Sequence, residues 1–223
     1  MIRRDAAAED IFADAATTHT NAQARGGAWQ QLADERLKVA LEVSEVVKAR
    51  RLEAQRALPP LMAAIETQDI GADRLLGRTG DDLWNALGRP SSDPVLSVIF
   101  PGGISYYTEG PDVEQPDRME LLAELLESIH LPKLDPARAQ GAAQEVRAAA
   151  QPYRAAVEAA RIPRARVKLL DRVLSAVARA TQIELAQLKR LYKAQGFSEA
   201  EIHTVIPDRP APVKKPPAPL PPA

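Results

Sequence analysis

The chain has 223 residues, a formal net charge of −1, and an aromatic content of only 4%. That length allows one or two domains with a substantial core, which excludes a peptide hormone or a disulfide-stapled mini-protein. The sequence contains no cysteine, so disulfides, thiolate metal sites and a cysteine nucleophile are excluded as well. The small net charge argues against bulk electrostatic attraction to nucleic acid or to a membrane.

The N-terminal region lacks the pattern of a targeting signal. Acidic residues at positions 5, 9, 10 and 14 interrupt any apolar stretch behind its two arginines. No window approaches the run of about 18 apolar residues that spans a bilayer. We therefore expect a cytoplasmic protein. Residues 1–26 are polar and alanine-rich, and we predict a flexible N-terminal arm with Ile11 and Phe12 as its only anchors.

A helical domain is predicted over residues 27–206, beginning with a long helix from about Ala28 to Leu58. Apolar residues repeat there at the helical period. The predicted apolar side consists of Trp29, Leu32, Val39, Val43 and Val46. Pro59 and Pro60 are expected to stop or kink this helix, because each proline removes an amide donor and disfavours helical backbone in the preceding residue. Short helices should follow near 61–65 and 81–87.

The segment 90–114 is predicted to be an insertion with strand propensity. Residues 95–100 are the most strand-like run, and a Pro-Gly-Gly turn separates them from residues 104–108. We predict a small β-hairpin or an ordered loop near residues 95–108, which must pack on helices or on another subunit because an isolated hairpin is marginal in water. Its apolar and aromatic cluster is either a lid over the core or a partner-binding site. The cluster consists of Ile99, Phe100, Ile104, Tyr106 and Tyr107.

Further helices are predicted after the insertion. One covers residues 117–130, the next opens at Asp135–Pro136 with Asp135 as its N-cap, and the last long helix covers 164–195. Only Ile162 and Pro163 separate the last two, so they form either a hairpin or one kinked rod of roughly 60 residues. A capping box at Ser198 predicts a short helix to about Val205. Residues 207–223 form a proline-rich tail that we expect to be disordered.

Opposite charges are segregated along the chain despite its small net charge. The last long helix carries a basic stripe made of Arg164, Lys168, Arg172, Arg179, Lys189, Arg190 and Lys193. Residues 109–127 carry seven acidic residues against one arginine. The two charged faces are either exposed to solvent or paired with each other, within one subunit or between subunits. A third alternative is that the basic stripe binds nucleic-acid phosphates or anionic lipid. The lack of an aromatic platform beside the stripe disfavours nucleic acid. The candidate binding residues of the stripe are Lys168, Arg172, Arg179 and Arg190.

No catalytic constellation stands out. Glu127 and His130 have the i, i+3 spacing of ligands in di-iron bundles, but the sequence holds one such motif where those bundles use two. Glu199 and His203 stand four residues apart, and helix capping and pairing account for them. No Gly-x-Ser-x-Gly elbow is present, and no glycine pair precedes the Lys-Ser/Thr of a phosphate loop. We therefore predict no catalytic residue, no metal site and no cofactor.

The sequence thus predicts a mainly α protein, with a long-helix bundle or a coiled-coil-like fold. We expect a non-enzymatic interaction or structural protein that self-associates through helices into a homo-oligomer and tethers a protein partner. One alternative is a helical bundle that binds a metal or a small ligand through Glu127 and His130 and acts as an oxidoreductase. A second alternative is a protein that binds nucleic acid or an anionic surface through the basic stripe.

Overall fold

The computed structural model describes residues 6–129 and 134–207. The helices in these ranges are α1 (Ala8–Arg25), α2 (Gly27–Ala86), α3 (Pro94–Ile99), α4 (Ser105–Thr108), α5 (Gln115–Ser128), α6 (Pro136–Ala194) and α7 (Glu199–Val205). Among the residues described, no helix is long and apolar enough to cross a membrane. The prediction of a mainly α protein built from long helices is confirmed. The prediction of a disordered tail concerns a segment that, from residue 208 onward, lies outside the described residues.

The two longest helices continue through prolines. α2 does not stop at Pro59 and Pro60, and α6 continues through Pro152 and Pro163. The last two long helices predicted from the sequence are therefore one helix, not a hairpin. A proline in a helix interior costs about 3 kcal/mol, because it removes one backbone hydrogen bond and crowds the preceding turn. Burial on both sides of the prolines outweighs that cost, as Val47 before Pro59 and Ile65 after Pro60 illustrate.

The chain divides into two compact units. Unit 1 takes its residues from Met1–Leu52 and Lys168–Ala223, and unit 2 takes its residues from Glu53–Val167. Each unit therefore contains one part of α2 and one part of α6. The periodicity of a continuous helix does not reveal such a division, because both parts carry an apolar side.

In unit 1, α2 and α6 run antiparallel. The early part of α2 meets the end of α6, where the hydroxyl of Tyr192 donates to the carbonyl oxygen of Trp29 at 2.9 Å. Further along, Arg51 of α2 forms an ion pair with Asp171 of α6. Two clusters of buried side chains hold the unit together. One contains Trp29, Leu37, Leu185, Leu188, Tyr192 and Ile202, and the other contains Ile11, Phe12, Val47, Leu174 and Ala178.

Most of the predicted N-terminal arm is a packed helix. In α1, Ala15, Thr18 and Ala22 are buried in addition to the two anchors Ile11 and Phe12. The small alanines allow α1 to lie close to α2 and α6. The imidazole of His19 also bonds the carboxylate of Asp34 on α2, with 2.7 Å between Nε2 and Oδ1. Residues 8–25 therefore belong to the folded body of unit 1.

Unit 2 packs α5 and the short helices α3 and α4 against its parts of α2 and α6. Met119, Leu122 and Leu126 of α5 are buried. The facing side of α6 is lined by small and medium residues, which allow close approach of the helices. The fully buried or nearly buried members are Val146, Ala150, Tyr153, Val157 and Ala160.

Of the two predicted alternatives for residues 95–108, a β-hairpin or an ordered loop, the structure does not contain the hairpin, since residues 94–99 and 105–108 are helical and neither described range contains a strand. The local cause is Asp93, whose carboxylate oxygen accepts hydrogen bonds from the amides of Val95 and Leu96 at 2.9 and 3.1 Å. Pro94 then occupies the start of α3, where its missing N–H costs nothing. An N-capped helix therefore forms from residues whose side chains favour a strand.

Candidate interaction surfaces

The structure separates the five residues of the predicted apolar cluster. Ile99 and Tyr107 are fully buried in unit 2, so they present no surface to a partner. Burial raises the pKa of the Tyr107 hydroxyl to about 12, and this hydroxyl donates to the carbonyl oxygen of Ile99 at 2.5 Å. Phe100 and Ile104 are half-buried, and Tyr106 is exposed. The cluster thus divides into a lid over the core and a set of accessible side chains.

Phe100 and Ile104 belong to a groove of about 710 Å³ on unit 2, which we call the Trp84 groove. Its other lining residues include Gly77, Gly80, Asp81 and Trp84 of α2, and Leu96 of α3. The four α2 residues recur at the helical period and therefore share one side of the helix. The Trp84 indole is 42% exposed, which is unusual for so large an apolar ring. Sequence analysis did not predict this groove.

Three cations of the basic stripe are paired within the chain. The two terminal nitrogens of Arg164 contact the Asp112 carboxylate at 3.2 and 2.5 Å, and these hydrogen bonds lower the pKa of Asp112. Lys189 and Lys193 each lie 2.6 Å from a carboxylate oxygen of Glu199 on α7. Pairing within the chain, one of the interpretations of the stripe, therefore applies to this part of it.

The four candidate binding residues of the stripe have a different setting. Lys168, Arg172, Arg179 and Arg190 are exposed on α6, and none of them forms an ion pair with a described residue. They all belong to unit 1. Within the described part of the chain, these four cations therefore have no acidic partner, and Arg179 lies beside Ala6 and Ala8 at the start of α1.

The acidic side of α5 is paired with arginines that sequence analysis did not single out. Arg147 of α6 lies 2.6 Å from a Glu120 oxygen and binds both oxygens of Glu127, at 2.7 and 3.1 Å. Hydrogen bonds from Arg147 lower the pKa of Glu127. Glu127 thus acts as a partner of Arg147, while His130 lies outside the described residues. The described part of the chain contains no group of three side chains that would hold a metal ion.

The pairing at Glu199 makes the docking of α7 pH-dependent. Hydrogen bonds from Lys189, and then from Lys193, lower the pKa of Glu199 from 4.5 to about 2. A carboxyl whose pKa is depressed on folding adds stability above its unfolded pKa and loses it as the pH falls toward the folded value. We therefore expect α7 to loosen between about pH 4.5 and pH 2. Trp29 fluorescence reports this, because Phe197 beside α7 stacks on Trp29 with ring centroids 3.9 Å apart.

Glu199→Gln is the matched control for that titration. The amide cannot be deprotonated and cannot pair as an anion with the two lysines, so the variant should lose the fluorescence change that wild type shows over this pH range. An identical change in wild type and variant would show that other carboxyls control the transition. The titration is best followed in a Trp84→Phe background, so that Trp29 is the only tryptophan.

Unit 1 exposes an apolar surface made by two helices, which we call the α2–α6 face. On α2, Val39, Val43 and Val46 are 67%, 41% and 53% exposed. On α6, Leu169 and Ile183 are 60% and 57% exposed, and the exposed alanines Ala176 and Ala180 lie between them. Residues 169, 176 and 183 follow one another at a spacing of seven, which keeps them in line along the helix.

The ion pairs within unit 1 show that these side chains share one side of it. Arg36 of α2 reaches Glu184 and Gln187 of α6 at 3.5 and 3.3 Å, which identifies the edges along which the two helices meet. Val43 is seven residues after Arg36, and Ala180 is seven before Gln187, so both lie on those same edges. α1 lies on another side of α2, where it meets Asp34 and Lys48. The α2–α6 face is therefore the side of the helix pair that α1 leaves open.

Charges border the face asymmetrically. The α6 border holds Lys168, Arg172, Arg179 and Arg190, with no acidic residue among them. The outer border of α2 holds exposed Glu35, Glu42 and Glu45 together with exposed Lys38 and Arg50, and Glu45 pairs with Lys48 at 2.7 Å. The sequence signal for this surface was the breadth of the apolar side predicted for α2, which exceeds what the unit 1 core covers. Leu169 and Ile183 were not among the residues that sequence analysis singled out.

Comparison of the chain with protein-family models, with curated proteins and with solved structures finds no match.

Proposed function

We propose that this protein is a non-enzymatic helical scaffold that self-associates through the α2–α6 face and displays its proline-rich tail to a protein partner. The observation that carries this proposal is the exposure of five large aliphatic side chains, each at least 41% accessible, on one side of unit 1. Contiguous exposed apolar surface of this kind marks interaction sites in water-soluble proteins. Burying it is favourable by about 25 cal/mol per Å² of apolar area.

The charges at the borders of the face favour a second copy of the chain as its occupant. In a two-fold dimer whose axis runs parallel to the helices, α2 of one copy lies over α6 of the other. The acidic border then meets the basic border on both sides of the interface. A two-fold axis perpendicular to the helices would instead place α2 over α2 and α6 over α6. The two acidic borders would then face each other, as would the two basic borders, so like charges would meet. The complementary arrangement is therefore the one we propose.

The contacts within unit 1 set the register of this arrangement. Arg36 reaches Glu184, and Arg51 pairs with Asp171, so a residue between 36 and 51 lies level with one between 171 and 184. Glu42 is level with Arg179 by this interpolation. A two-fold axis parallel to the helices leaves every residue at the same height along that axis. Glu42 of one copy therefore faces Arg179 of the other.

The dimer should be of moderate affinity. Residues 169–183 span about 21 Å of helix, which gives a patch near the low end of specific protein interfaces. Two such helices without an aromatic anchor are consistent with a dissociation constant in the micromolar range. Assembly would then respond to the concentration of the protein.

A charge-exchange experiment tests the proposal. We expect Arg179→Glu and Glu42→Arg each to weaken self-association about tenfold, because each places like charges together across the interface. Combining the two changes restores opposite charges and should return the dissociation constant close to that of wild type. Light scattering coupled to size exclusion, run over a range of loading concentrations, measures all four proteins. A double variant that is no better than either single variant would contradict the arrangement.

The same variants address binding to phosphates through the stripe. In a complex with nucleic acid or anionic lipid, Arg179→Glu would weaken binding and the added arginine at position 42 would not restore the contact at position 179. In the self-associating scaffold, the double variant regains the dimer. The four stripe cations are exposed and form no ion pair with a residue in 6–129 or 134–207, which is compatible with either occupant. The aliphatic side chains beside them favour protein.

A further inference from the structure

We propose that a polar network inside unit 2 holds a single proton and acts as a pH-sensitive latch that joins α2, α5 and α6. This network, which we call the Tyr153 network, consists of Asp69 and Asp73 of α2, Gln115 at the start of α5, and Tyr153 of α6. All four residues belong to unit 2, so the latch is independent of self-association through unit 1.

Three contacts join the four side chains into one line. The Tyr153 hydroxyl oxygen lies 2.9 Å from Oδ1 of Asp69 and 3.0 Å from Oε1 of Gln115. Nε2 of Gln115 lies 2.8 Å from Oδ1 of Asp73. Tyr153 is fully buried and Gln115 is 4% exposed, so a contact that lacks its hydrogen atom would be costly at these positions.

The line needs one more hydrogen atom than its ionised form supplies. The Tyr153 hydroxyl has one hydrogen, but both atoms that it contacts, on Asp69 and on Gln115, are oxygens. If the hydroxyl donates to Gln115, then Asp69 must carry a proton in order to donate to the hydroxyl oxygen. If the hydroxyl donates to Asp69, then no hydrogen remains for the contact between the two oxygens of Tyr153 and Gln115.

Turning the Gln115 amide over transfers the missing hydrogen to the other end of the line. The amide N–H then donates to the Tyr153 oxygen, and the hydroxyl donates to Asp69. The amide oxygen now faces the Asp73 carboxylate, so Asp73 must carry a proton. All three contacts are hydrogen bonds only when one of the two carboxyls is protonated, and that proton belongs to the pair rather than to one residue.

The other charged groups around the Tyr153 network balance one another. Three ion pairs surround it, with contacts of 2.5, 2.8 and 2.7 Å, and these are Arg164 with Asp112, Arg154 with Asp117, and Arg118 with Glu114. The same part of α2 adds two exposed side chains of opposite sign, Glu66 and Arg74. Asp69 and Asp73 would therefore be two like charges one turn apart, which is an unfavourable spacing on a helix. One retained proton removes that repulsion.

The direction of the pH dependence follows from the setting of Asp73. Burial raises the pKa of Asp73, the hydrogen bond from Gln115 opposes this shift, and the Asp69 carboxylate raises the pKa further. A carboxyl whose pKa is higher in the folded chain adds stability at low pH and loses it as the pH rises through the folded value. The latch should therefore open as the pH rises, whereas the Glu199 pairing in unit 1 weakens as the pH falls.

Carboxyl chemical shifts test the proton count directly. In the full chain with carbon-13-labelled aspartate, NMR follows the side-chain carboxyl carbons of Asp69 and Asp73 from about pH 3 to about pH 8. Asp69→Asn and Asp73→Asn assign the two signals. We expect the pair to retain one proton at about pH 5, where a free aspartate is about nine-tenths ionised. Two fully ionised carboxylates at that pH would overturn the proposal.

The stability of unit 2 is the second readout. Trp29→Phe leaves Trp84 as the only tryptophan, so its emission reports the urea unfolding of unit 2. In this parent, we expect the urea midpoint to fall from about pH 5 to about pH 8, as the proton leaves. An asparagine at position 69 or 73 supplies the missing hydrogen from its amide at every pH. Each asparagine variant should therefore lack this fall and have a higher midpoint than the parent at about pH 8.

Glu66→Gln in the same background is the matched control. Glu66 lies three residues before Asp69 and seven before Asp73 on α2, so this variant removes a negative charge from the same side of the helix. It does not enter the network, and we expect it to keep the parent's fall in midpoint. A parent midpoint that does not fall, a fall that persists in both asparagine variants, or a fall that Glu66→Gln also abolishes would overturn the proposal.

Discussion

Replacing Tyr107 with alanine is expected to lower the free energy of unfolding of unit 2 by about 3–5 kcal/mol, the usual cost of deleting a fully buried large aromatic ring. Tyr107 is 0% exposed, and its ring makes edge-to-face contacts with Phe100 and Tyr106 at centroid distances of 5.9 and 5.0 Å. The ring therefore fills the space beneath α3 and α4. Its loss leaves a cavity and frees the segment that forms one wall of the Trp84 groove.

Tyr107→Phe isolates the hydroxyl group from the ring. The hydroxyl donates to the carbonyl oxygen of Ile99 at 2.5 Å, and a typical buried hydrogen bond contributes about 1 kcal/mol. We therefore expect the phenylalanine variant to lose about a quarter of what the alanine variant loses. Urea unfolding followed by circular dichroism measures both. Equal losses for the two variants would show that the hydrogen bond, rather than the ring, supports α3 and α4.

The region around Tyr107 also shows why sequence analysis did not predict helix α3. Val95, Val98 and Ile99 have side chains that favour strands, and this intrinsic preference predicted the hairpin. Asp93–Pro94 carries the same helix-start signal as Asp135–Pro136, where the Asp135 carboxylate accepts a hydrogen bond from the Ala137 amide at 3.0 Å. Reading the two pairs alike would have predicted α3. The capping residues thus decided a conformation that the following side chains did not.

The continuity of the long helices depends on tertiary contacts that local rules do not contain. Pro59 and Pro163 each weaken their helix locally, and local rules correctly assign that penalty. The compensation comes from residues such as Ile65 and Val157, which are buried by contacts with distant parts of the chain. Such contacts can be predicted only when the residues that pack on each side of the helix are known.

Sequence analysis identified individual residues of the candidate site, but not the surface that they form together. The sequence identified Arg179 as a charged candidate and Val43 as apolar, and each assignment followed from helical periodicity. It placed Val43 on the same apolar side of α2 as Trp29, but Val43 is 41% exposed whereas Trp29 is buried. A single sequence cannot say how many sides of an amphipathic helix the fold covers. That number depends on how many helices pack around it, and unit 1 covers only part of the apolar side of α2.

Val43→Glu is expected to weaken self-association about 100-fold or more. The substitution places a carboxylate at the centre of the α2–α6 face, where dimer formation would remove it from water without a partner, at a cost of several kcal/mol. Val43 is 41% exposed within the single chain, so the glutamate remains solvated there and the fold should be retained. Circular dichroism and the melting temperature verify that retention.

Leu52→Glu is the matched control. Leu52 is an exposed aliphatic residue of unit 1, at 48%, and it lies nine residues from Val43, on the opposite side of α2. It therefore introduces the same charge into the same helix away from the proposed interface. We expect Leu52→Glu to associate as wild type does.

Sedimentation equilibrium of wild type, Val43→Glu and Leu52→Glu over a range of concentrations is the decisive measurement. The scaffold proposal predicts that the mass of wild type and of Leu52→Glu rises from the 24.2 kDa of one chain toward twice that value, while Val43→Glu stays at one chain. A wild-type mass that remains at 24.2 kDa at all concentrations, or a dimer that Val43→Glu leaves intact, would contradict it.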